Sequence, residues 1–453
     1  MIHSTNEQPN SVVGPVPLQD PNNASQDSRC AILSRHRGKS LHSHSETSKS
    51  YRPAVATTSR SRPKRIAMLT WESEHSIAVG GLAAHVTGLA EVLRAAGHEI
   101  HIFTRSGPNQ PPDNVINGVH YHRCTFDPNT DFLSYVDRMC ASMVERLREV
   151  ESRHNERFDV IYGHDWLTTR ALVRAKNELG RRTVFTVHST EFGRCGNILH
   201  EGQSRRIRDL EWEGAYVADR VGCVSQALRE EMRWLYQVPD AKTAVIYNGV
   251  DVQRFDVDVD SHAVRSRCAV PDDSPLVLFV GRLAWQKGPD LLVESMPGLV
   301  SYHPRTKFIF AGDGDMRASL EHRVQEMGLA HAARFVGFCR GSELVGLFKS
   351  ADVVCVPSRN EPFGIVVLEA WGAAKPVVVT RNGGPGEFVH HGETGLVVSD
   401  NKDSVGWGVG TALADLDSAC RLGCNGRTVA ETRFSWGVVA GQTDELYQLI
   451  SGV

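Results

Sequence analysis

The sequence predicts an α/β protein with two tandem Rossmann-like, doubly wound parallel-sheet domains. Three observations carry this. Apolar strands of buried type alternate with amphipathic helices from about residue 63 onward. The alternation runs twice, with a polar, acidic stretch at 251–274 between the two series. Glycines and polar residues gather at the ends of strands, where open α/β sheets bind their ligands.

Residues 1–62 are rich in Ser, Pro, Asn, His and Arg, with Tyr51 the only aromatic. Such a segment buries too little apolar surface to offset its chain entropy, so a disordered tail is expected. Its HSHSETSKS run reads as solvated polar sequence rather than as a metal or phosphorylation site. The opening MIHSTNEQPNSVVGPVPLQD has neither a basic start nor an apolar core and does not read as a secretory signal.

RIAMLTW is the first expected strand. GGLAAHVTGLAEVLRAAG follows as a helix, with Val86, Leu89, Ala90 and Leu93 on one face and Gly97 as its stop. HEIHIFTR is the next strand. A helix is expected around 131–154, then the strand DVIYGHD, a helix from Trp166, and the strand TVFTVH. A helix within 203–218, the strand DRVGCVS, a helix within 226–236 and the strand TAVIYNGV complete the first series. The second begins with PLVLFVGRL and the helix PDLLVESMPGLVSYH. TKFIFAGDG, ARFVGF, DVVCVPS, PVVVTR and TGLVV follow as strands, with helices between most of them. A final helix starts near Ser435. The expected partition is a tail at 1–62, domains at 63–255 and 256–434, and a closing helix at 435–453 that packs back towards the first domain.

The chain has 453 residues, which fits two or three domains. Its apolar fraction of 41%, charged fraction of 23% and net charge of −3 describe an ordinary globular chain. They give no general attraction to nucleic acid or membrane. No apolar run is long enough to span a bilayer. The ten cysteines are scattered singly, several inside apolar runs, as buried free thiols are. Neither Cys195 with His188 and His200, nor Cys420 with Cys424, has zinc spacing. A reducing, cytoplasmic setting is therefore expected.

The chemistry lies at the strand ends. Gly80 and Gly81 sit between a strand and a helix, where backbone N–H groups approach an anion. The pattern is not GxGxxG, and no GxxxxGK[ST] occurs. In FVGRLAWQKG, Gly281 and Arg282 follow a strand and Lys287 precedes a helix. Two cations at the mouth of a parallel sheet suit a diphosphate. EPFGIVVLEA, 361–370, holds two carboxylates. Its Pro-Phe-Gly keeps Glu361 in a loop, and helix is expected from Gly364 or Ile365, with Glu369 more than a turn inside. The two carboxyls then face different parts of the cleft, which disfavours a glycosidase pair acting on one bond. The N–H groups of Gly364 and Ile365 lie between them. His188 and Asp165 end neighbouring strands. His164 and His200 read as structural. No metal ligand set is called for.

These motifs resemble those of retaining GT-B glycosyltransferases, family 4 type, similar to glycogen- and starch-synthase-like enzymes. The resemblance covers about residues 64–453. EPFGIVVLEA is similar to the family's E-x7-E motif, and FVGRLAWQKG, AGDGDMRASLE and the GGL loop are family-like. HSTEFGRCGN resembles a glycogen-synthase segment. The resemblance implies hexosyl transfer, with glucosyl the first expectation, from a UDP-, ADP- or GDP-sugar to an acceptor hydroxyl, with no further cofactor. It implies that Arg282 and Lys287 bind the donor diphosphate, Glu361 and His188 the transferring sugar, and Glu369 the ribose. Asp165 would lie near the acceptor, Gly80 and Gly81 would close on the diphosphate, and Gly337 and Phe338 would lie near the base. Gly281, Phe363, Gly364 and Ile365 complete the implied donor site.

Two positions depart from the pattern. Bacterial glycogen synthases carry KTGGL where this chain has AVGGL, with Ala78 in place of lysine, and asparagine where it has Ser189. Acceptors other than glycogen, small molecules and lipids among them, therefore stay open. A nucleotide-sugar epimerase on the same fold is a second enzyme reading. A silent sugar-binding protein is disfavoured because Arg282, Lys287, Glu361 and Glu369 are all present. A pyridoxal-phosphate phosphorylase lacks a lysine that stands out for a Schiff base.

Overall fold

A computed structural model describes residues 62–451. The expected tail at 1–62, apart from Arg62, and its HSHSETSKS run lie outside the described residues.

The first series contains β1 (Arg65–Leu69), α1 (Gly81–Ala95), β2 (Glu99–Arg105), β3 (Asp113–Ile116), β4 (Val119–Cys124), α2 (Phe132–His154) and β5 (Val160–His164). It continues with α3 (Thr169–Asn177), β6 (Thr183–Val187), α4 (Glu191–Arg194), α5 (Gln203–Val217), β7 (Arg220–Cys223), α6 (Gln226–Tyr236) and β8 (Thr243–Val245). The second contains α7 (Ser261–Arg267), β9 (Leu276–Val280), α8 (Pro289–Tyr302), β10 (Lys307–Ala311), α9 (Arg317–Glu326), β11 (Ala333–Gly337), α10 (Gly341–Ser350) and β12 (Val353–Val356). It closes with α11 (Ile365–Gly372), β13 (Val377–Thr380), α12 (Pro385–Phe388), β14 (Leu396–Val398), α13 (Lys402–Ala414) and α14 (Leu416–Arg433), and α15 (Trp436–Ser451) follows.

The strands form an eight-stranded sheet, β3-β4-β2-β1-β5-β6-β7-β8, and a six-stranded sheet, β11-β10-β9-β12-β13-β14. Central strands such as RIAML and VVCV are buried throughout. A parallel sheet covered by helices on both faces requires such continuous apolar runs. In α1 the predicted face, Val86, Leu89, Ala90 and Leu93, is fully buried. Burying each of its larger side chains contributes about 1.5–3 kcal/mol. Val439, Leu446 and Tyr447 of α15 share a core with Ile66, Met68, Val86 and Leu89, so the last helix packs on the first sheet.

The structure differs from the sequence reading in three places. The expected run from HEIHIFTR straight to a helix omitted β3 and β4. These form an antiparallel hairpin turned by Asn117 and Gly118 at φ 52° and 78°, so the first sheet is not wholly parallel. An Asn-Gly pair with both residues at positive φ is the turn that suits the twist of a two-residue hairpin. The stretch 251–274 is more than a connection: it holds α7, and Phe255 is buried against Phe348 and Gly372. TAVIYNGV pairs only over Thr243–Val245.

In each sheet the winding reverses at one crevice, between β1 and β5 in the first and between β9 and β12 in the second. Ligands bind open α/β sheets at such switch points. The GGL loop follows β1, Asp165 follows β5, Arg282 follows β9 and Glu361 follows β12.

Candidate active site

Lys287 and Glu361 meet across the second switch point. The ammonium of Lys287 donates to both carboxylate oxygens of Glu361, each at 2.8 Å, and the Ser358 hydroxyl donates to one of them at 2.9 Å. Two glycines bring these loops together. A Cβ on Gly288 would lie 2.1 Å from the Pro357 carbonyl oxygen, and one on Gly383 would lie 2.0 Å from that of Glu361. Both residues have positive φ, at 64° and 85°. No other residue type permits the turn after Lys287 to rest directly on the end of β12.

Glu361 sits in the turn before α11, whose first N–H groups have no intrahelical carbonyl to bond. Gly364, at φ 95°, precedes Ile365 at the start of this helix. A Cβ on Gly81 would lie 3.1 Å from Ile365 Cδ1, so the start of α1 faces the start of α11 across the cleft. Glu369 lies on the second turn of α11, its carboxylate 4.0 Å from the Arg254 guanidinium. Burial pushes its carboxyl up to about 7, with Arg254 opposing and Glu74 reinforcing the shift. Arg282 is exposed, and its guanidinium donates to Gln286 at 3.1 Å. Gly281 takes φ 152°, with its N–H on the Ala311 carbonyl at 3.0 Å. Gly337, at φ 77°, and the exposed Phe338 end β11.

At the first switch point Asp165 adopts φ 63° and ψ 166°. This backbone region is essentially confined to glycine and costs about 1–3 kcal/mol. The Asp165 N–H donates to the Thr186 carbonyl at 2.8 Å, and its side chain accepts from the His188 N–H at 3.4 Å. Burial raises the Asp165 carboxyl, and the nearby Arg194 charge opposes this. His188 Nε2 lies 3.2 Å from His164 Nδ1, and the His85 ring centroid lies 4.8 Å from that of His188. Desolvation keeps all three imidazoles neutral: His85 is lowered to about 4, and His164 and His188 fall well below the usual histidine range.

Behind His188 lies a buried ionic cluster. The Arg194 guanidinium donates to Glu211 at 2.7 Å, to Glu191 at 3.2 Å, and to the Ser189 hydroxyl and carbonyl at 2.6 and 3.1 Å. Glu211 is fully buried and also accepts from the Glu191 N–H and the Tyr236 hydroxyl. Desolvation pushes its carboxyl up to about 7 against the pull of Arg194.

Two family descriptions divide the chain between them. Glycosyltransferase Family 4 matches residues 79–254, and Glycosyl transferases group 1 matches residues 261–429. Over 389 residues the chain is 38% identical to an uncharacterized glycosyltransferase of Methanocaldococcus jannaschii, covering 85% of this chain and 98% of that protein. The chain belongs to this glycosyltransferase family.

The glycosyltransferase is also 31% identical to a glycogen synthase of Mycobacterium tuberculosis, over 84% of this chain and 94% of the relative. Its fold is similar to that of a sucrose-phosphate synthase from Thermosynechococcus elongatus, with a TM-score of 0.73 and 26% identity over 86% of this chain and all of that one. The two-domain α/β architecture is that of GT-B enzymes, and the protein is a nucleotide-sugar-dependent, glycogen-synthase-like glycosyltransferase.

In this glycosyltransferase the fold brings Lys287, Glu361, Gly364 and Ile365 together at one switch point, and Asp165 and His188 at the other. Two expectations need correction. Phe363 is 2% exposed, packed among Tyr247, Phe388 and Phe434. Its ring is part of the core and is not presented to a donor. The Gly80 N–H is not free for a diphosphate, because the Glu72 carboxylate already accepts from it at 2.9 Å and from the Val79 N–H. His164, read from sequence as structural, shares a buried cluster with His188.

Sequence reasoning also missed Glu72, His85, Arg194 and Glu211 in the glycosyltransferase. His85 had a signal, since it lies on the inward face of α1 with Val86 and Leu89. Glu211 had none beyond its place in an otherwise ordinary charged helix.

Proposed function

We propose that this enzyme transfers a glucosyl group from a nucleoside diphosphate sugar to an acceptor hydroxyl, with retention at the anomeric carbon, and that it elongates an α-glucan. The observation that carries this reading is the Lys287–Glu361 pair beside the N-terminus of α11. The arriving diphosphate takes the Lys287 ammonium, and the released Glu361 carboxylate accepts from a sugar hydroxyl. As the sugar–phosphate bond breaks, negative charge grows on the phosphate and positive charge at the anomeric carbon. Lys287, Arg282 and the Gly364 and Ile365 amides meet the first, and Glu361 meets the second. A leaving phosphate oxygen takes the proton of the attacking hydroxyl on the same face of the sugar. His188 contacts the sugar, Asp165 lies towards the acceptor, Glu369 holds the ribose, and Gly281, Gly337 and Phe338 border the base. The likeness to a glycogen synthase supports a glucan acceptor.

The second reading is transfer to a small acceptor. Ala78 and Ser189, where bacterial glycogen synthases carry lysine and asparagine, favour it, as does the fold likeness to a sucrose-phosphate synthase. The partition into 63–255, 256–434 and 435–453 belongs to the same proposal, with the donor on the second domain. So does a cytoplasmic setting, which the buried thiols of Cys124, Cys140, Cys223 and Cys355 among the described residues support. Among those residues no helix is long and apolar enough to cross a membrane.

A thermal-shift panel of UDP-, ADP- and GDP-glucose tests the donor. A ligand at a hundred times its Kd raises stability by about 2.7 kcal/mol, so one of the three should shift the melting transition clearly. No shift with any of them would overturn the reading. Transfer to a glucan and to small sugars then separates the acceptors, and the anomeric configuration of the product, read by NMR, checks retention.

Glu369 gives a pH test of the ribose contact. A ribose hydroxyl donates to the ionised carboxylate, so donor affinity should rise as pH rises through about 7 and then level off. A nucleotide sugar is the right probe, because its diphosphate diester does not titrate near neutrality. Glu369→Gln should flatten the profile. In the free protein the sign is opposite. A carboxyl raised above its unfolded value of 4.5 favours the folded state most at low pH, and this contribution is lost as pH climbs towards about 7.

A further inference from the structure

Three histidines from three separate elements converge beside the first switch point. His85 comes from α1, His164 ends β5, and His188 follows β6. One ligand nitrogen from each lies within 4.8 Å of the other two. The cluster is short of partners: neither ring nitrogen of His85, nor Nε2 of His164, has one. His85 and His164 are 2% and 0% exposed. An unpaired buried polar nitrogen costs about 1–3 kcal/mol, and a ligand held by one His85 nitrogen would relieve part of that cost.

Geometry narrows the choice. In a tetrahedral site with metal–nitrogen bonds of about 2.0–2.1 Å, ligand nitrogens stand roughly 3.4 Å apart. His164 Nδ1 and His188 Nε2 are already at 3.2 Å. A His85 nitrogen completes the same shell by moving inward from within 4.8 Å. Burial holds all three imidazoles in the neutral form that binds metal. Half-buried His188 opens the cluster to the cleft, while the Trp436 ring, 5.8 Å from that of His85, covers the other side.

The other candidate group, Glu99, His101 and His120, is poorer. Both ring nitrogens of His101 are already engaged, by Glu99 at 2.7 Å and His122 at 2.9 Å.

We propose that His85, His164 and His188 form a tris-imidazole site for a zinc-type divalent cation, and that its occupancy inhibits sugar transfer by taking His188. The inhibition rests on the proposed role of His188 at the sugar, whereas the metal site stands on the cluster itself. Three neutral imidazoles suit Zn²⁺, Co²⁺ or Ni²⁺ and offer little to Mg²⁺ or Ca²⁺. No carboxylate orients the far nitrogens of His85 or His164, and such support typically contributes tenfold to a hundredfold in affinity. The ion therefore binds reversibly, as a regulator does, and is no part of the transfer chemistry.

The test uses the full chain, stripped with a chelator and titrated with Co²⁺ and then Zn²⁺. One equivalent of Co²⁺ should give the intense visible ligand-field bands of a four-coordinate site. His85→Phe keeps an aromatic ring in the pocket, and it should lose those bands and bind at least tenfold more weakly. His120→Gln should change neither. Identical titrations for wild type and His85→Phe would mean adventitious binding at other histidines and would overturn the site. X-ray absorption on the zinc-loaded wild type decides independently of any variant: three imidazole ligands support the site, and another shell overturns it. In the transfer assay, saturating Zn²⁺ should lower the rate more than tenfold, and a chelator should restore it. Zinc bound at this site with undiminished transfer would remove the inhibitory role. Failure of transfer with every donor, alongside an intact cobalt spectrum, would count against the proposed function and leave the metal site standing.

Discussion

Lys287→Ala should lower sugar transfer by a factor of about 10²–10³ while the protein stays folded. Removing one fixed donor to a developing oxyanion has an effect of this size. The loss belongs in kcat, because phosphate charge grows most in the transition state. Stability should fall as well, by about 1–3 kcal/mol, since Glu361 keeps Ser358 but loses its cation. Glu361→Ala should impair transfer to a similar degree, and the double variant should be scarcely worse than either single one. Residues that act as a unit are not additive. Steady-state kinetics with circular dichroism on the three variants is the measurement. Near-normal transfer by both single variants would sink the assignment of this pair.

Arg194→Met should cause a large loss of stability, about 3–5 kcal/mol, with the fully buried Glu211 left among carboxylates that have lost their cation. Urea unfolding reads this directly. The loss should shrink in acid. Glu211 is raised to about 7 in the folded state against 4.5 in the unfolded one, so the folded form holds its proton more tightly over that interval. Removing Arg194 takes away a lowering influence and extends the interval upward. Stability of the variant should therefore climb as pH falls through neutrality, more steeply than in the wild type. A loss that does not vary with pH would show that Glu211 is not the group left uncompensated.

The sequence revealed strands and helices because a parallel sheet covered on both faces needs apolar runs, and these are visible in RIAML and VVCV. The β3–β4 hairpin escaped because β3 is a short, half-exposed edge strand and the buried β4 reads VHYHRC, with polar residues in an interior strand, although Asn117-Gly118 was a readable turn signal. The Lys287–Glu361 meeting was implicit in two motifs placed at strand ends. Their direct ion pair depends on Gly288 and Gly383 touching other backbones, and such contacts exist only once the chain is folded. The histidine cluster and the Arg194–Glu211 network were hidden for the same reason. Their members lie far apart in sequence, and burial, not residue type, sets their charge states. Phe363 shows the converse, since its motif pointed to the cleft while its ring turned into the core.

Trp436, at the start of α15, is wedged between two glycines. A Cβ at Gly88 would come within 2.4 Å of its ring, and so would one at Gly249. Positions 88, 249 and 436 thus share a single fixed volume, although they lie in three distant parts of the chain. Enlargement at 88 or 249 is tolerable only where the ring at 436 is traded for something smaller. Gly88→Ala should be costly alone and cheaper beside Trp436→Leu. Across relatives the three sites should drift together, and that correlated drift would tie the last helix to the first by descent as well as by contact.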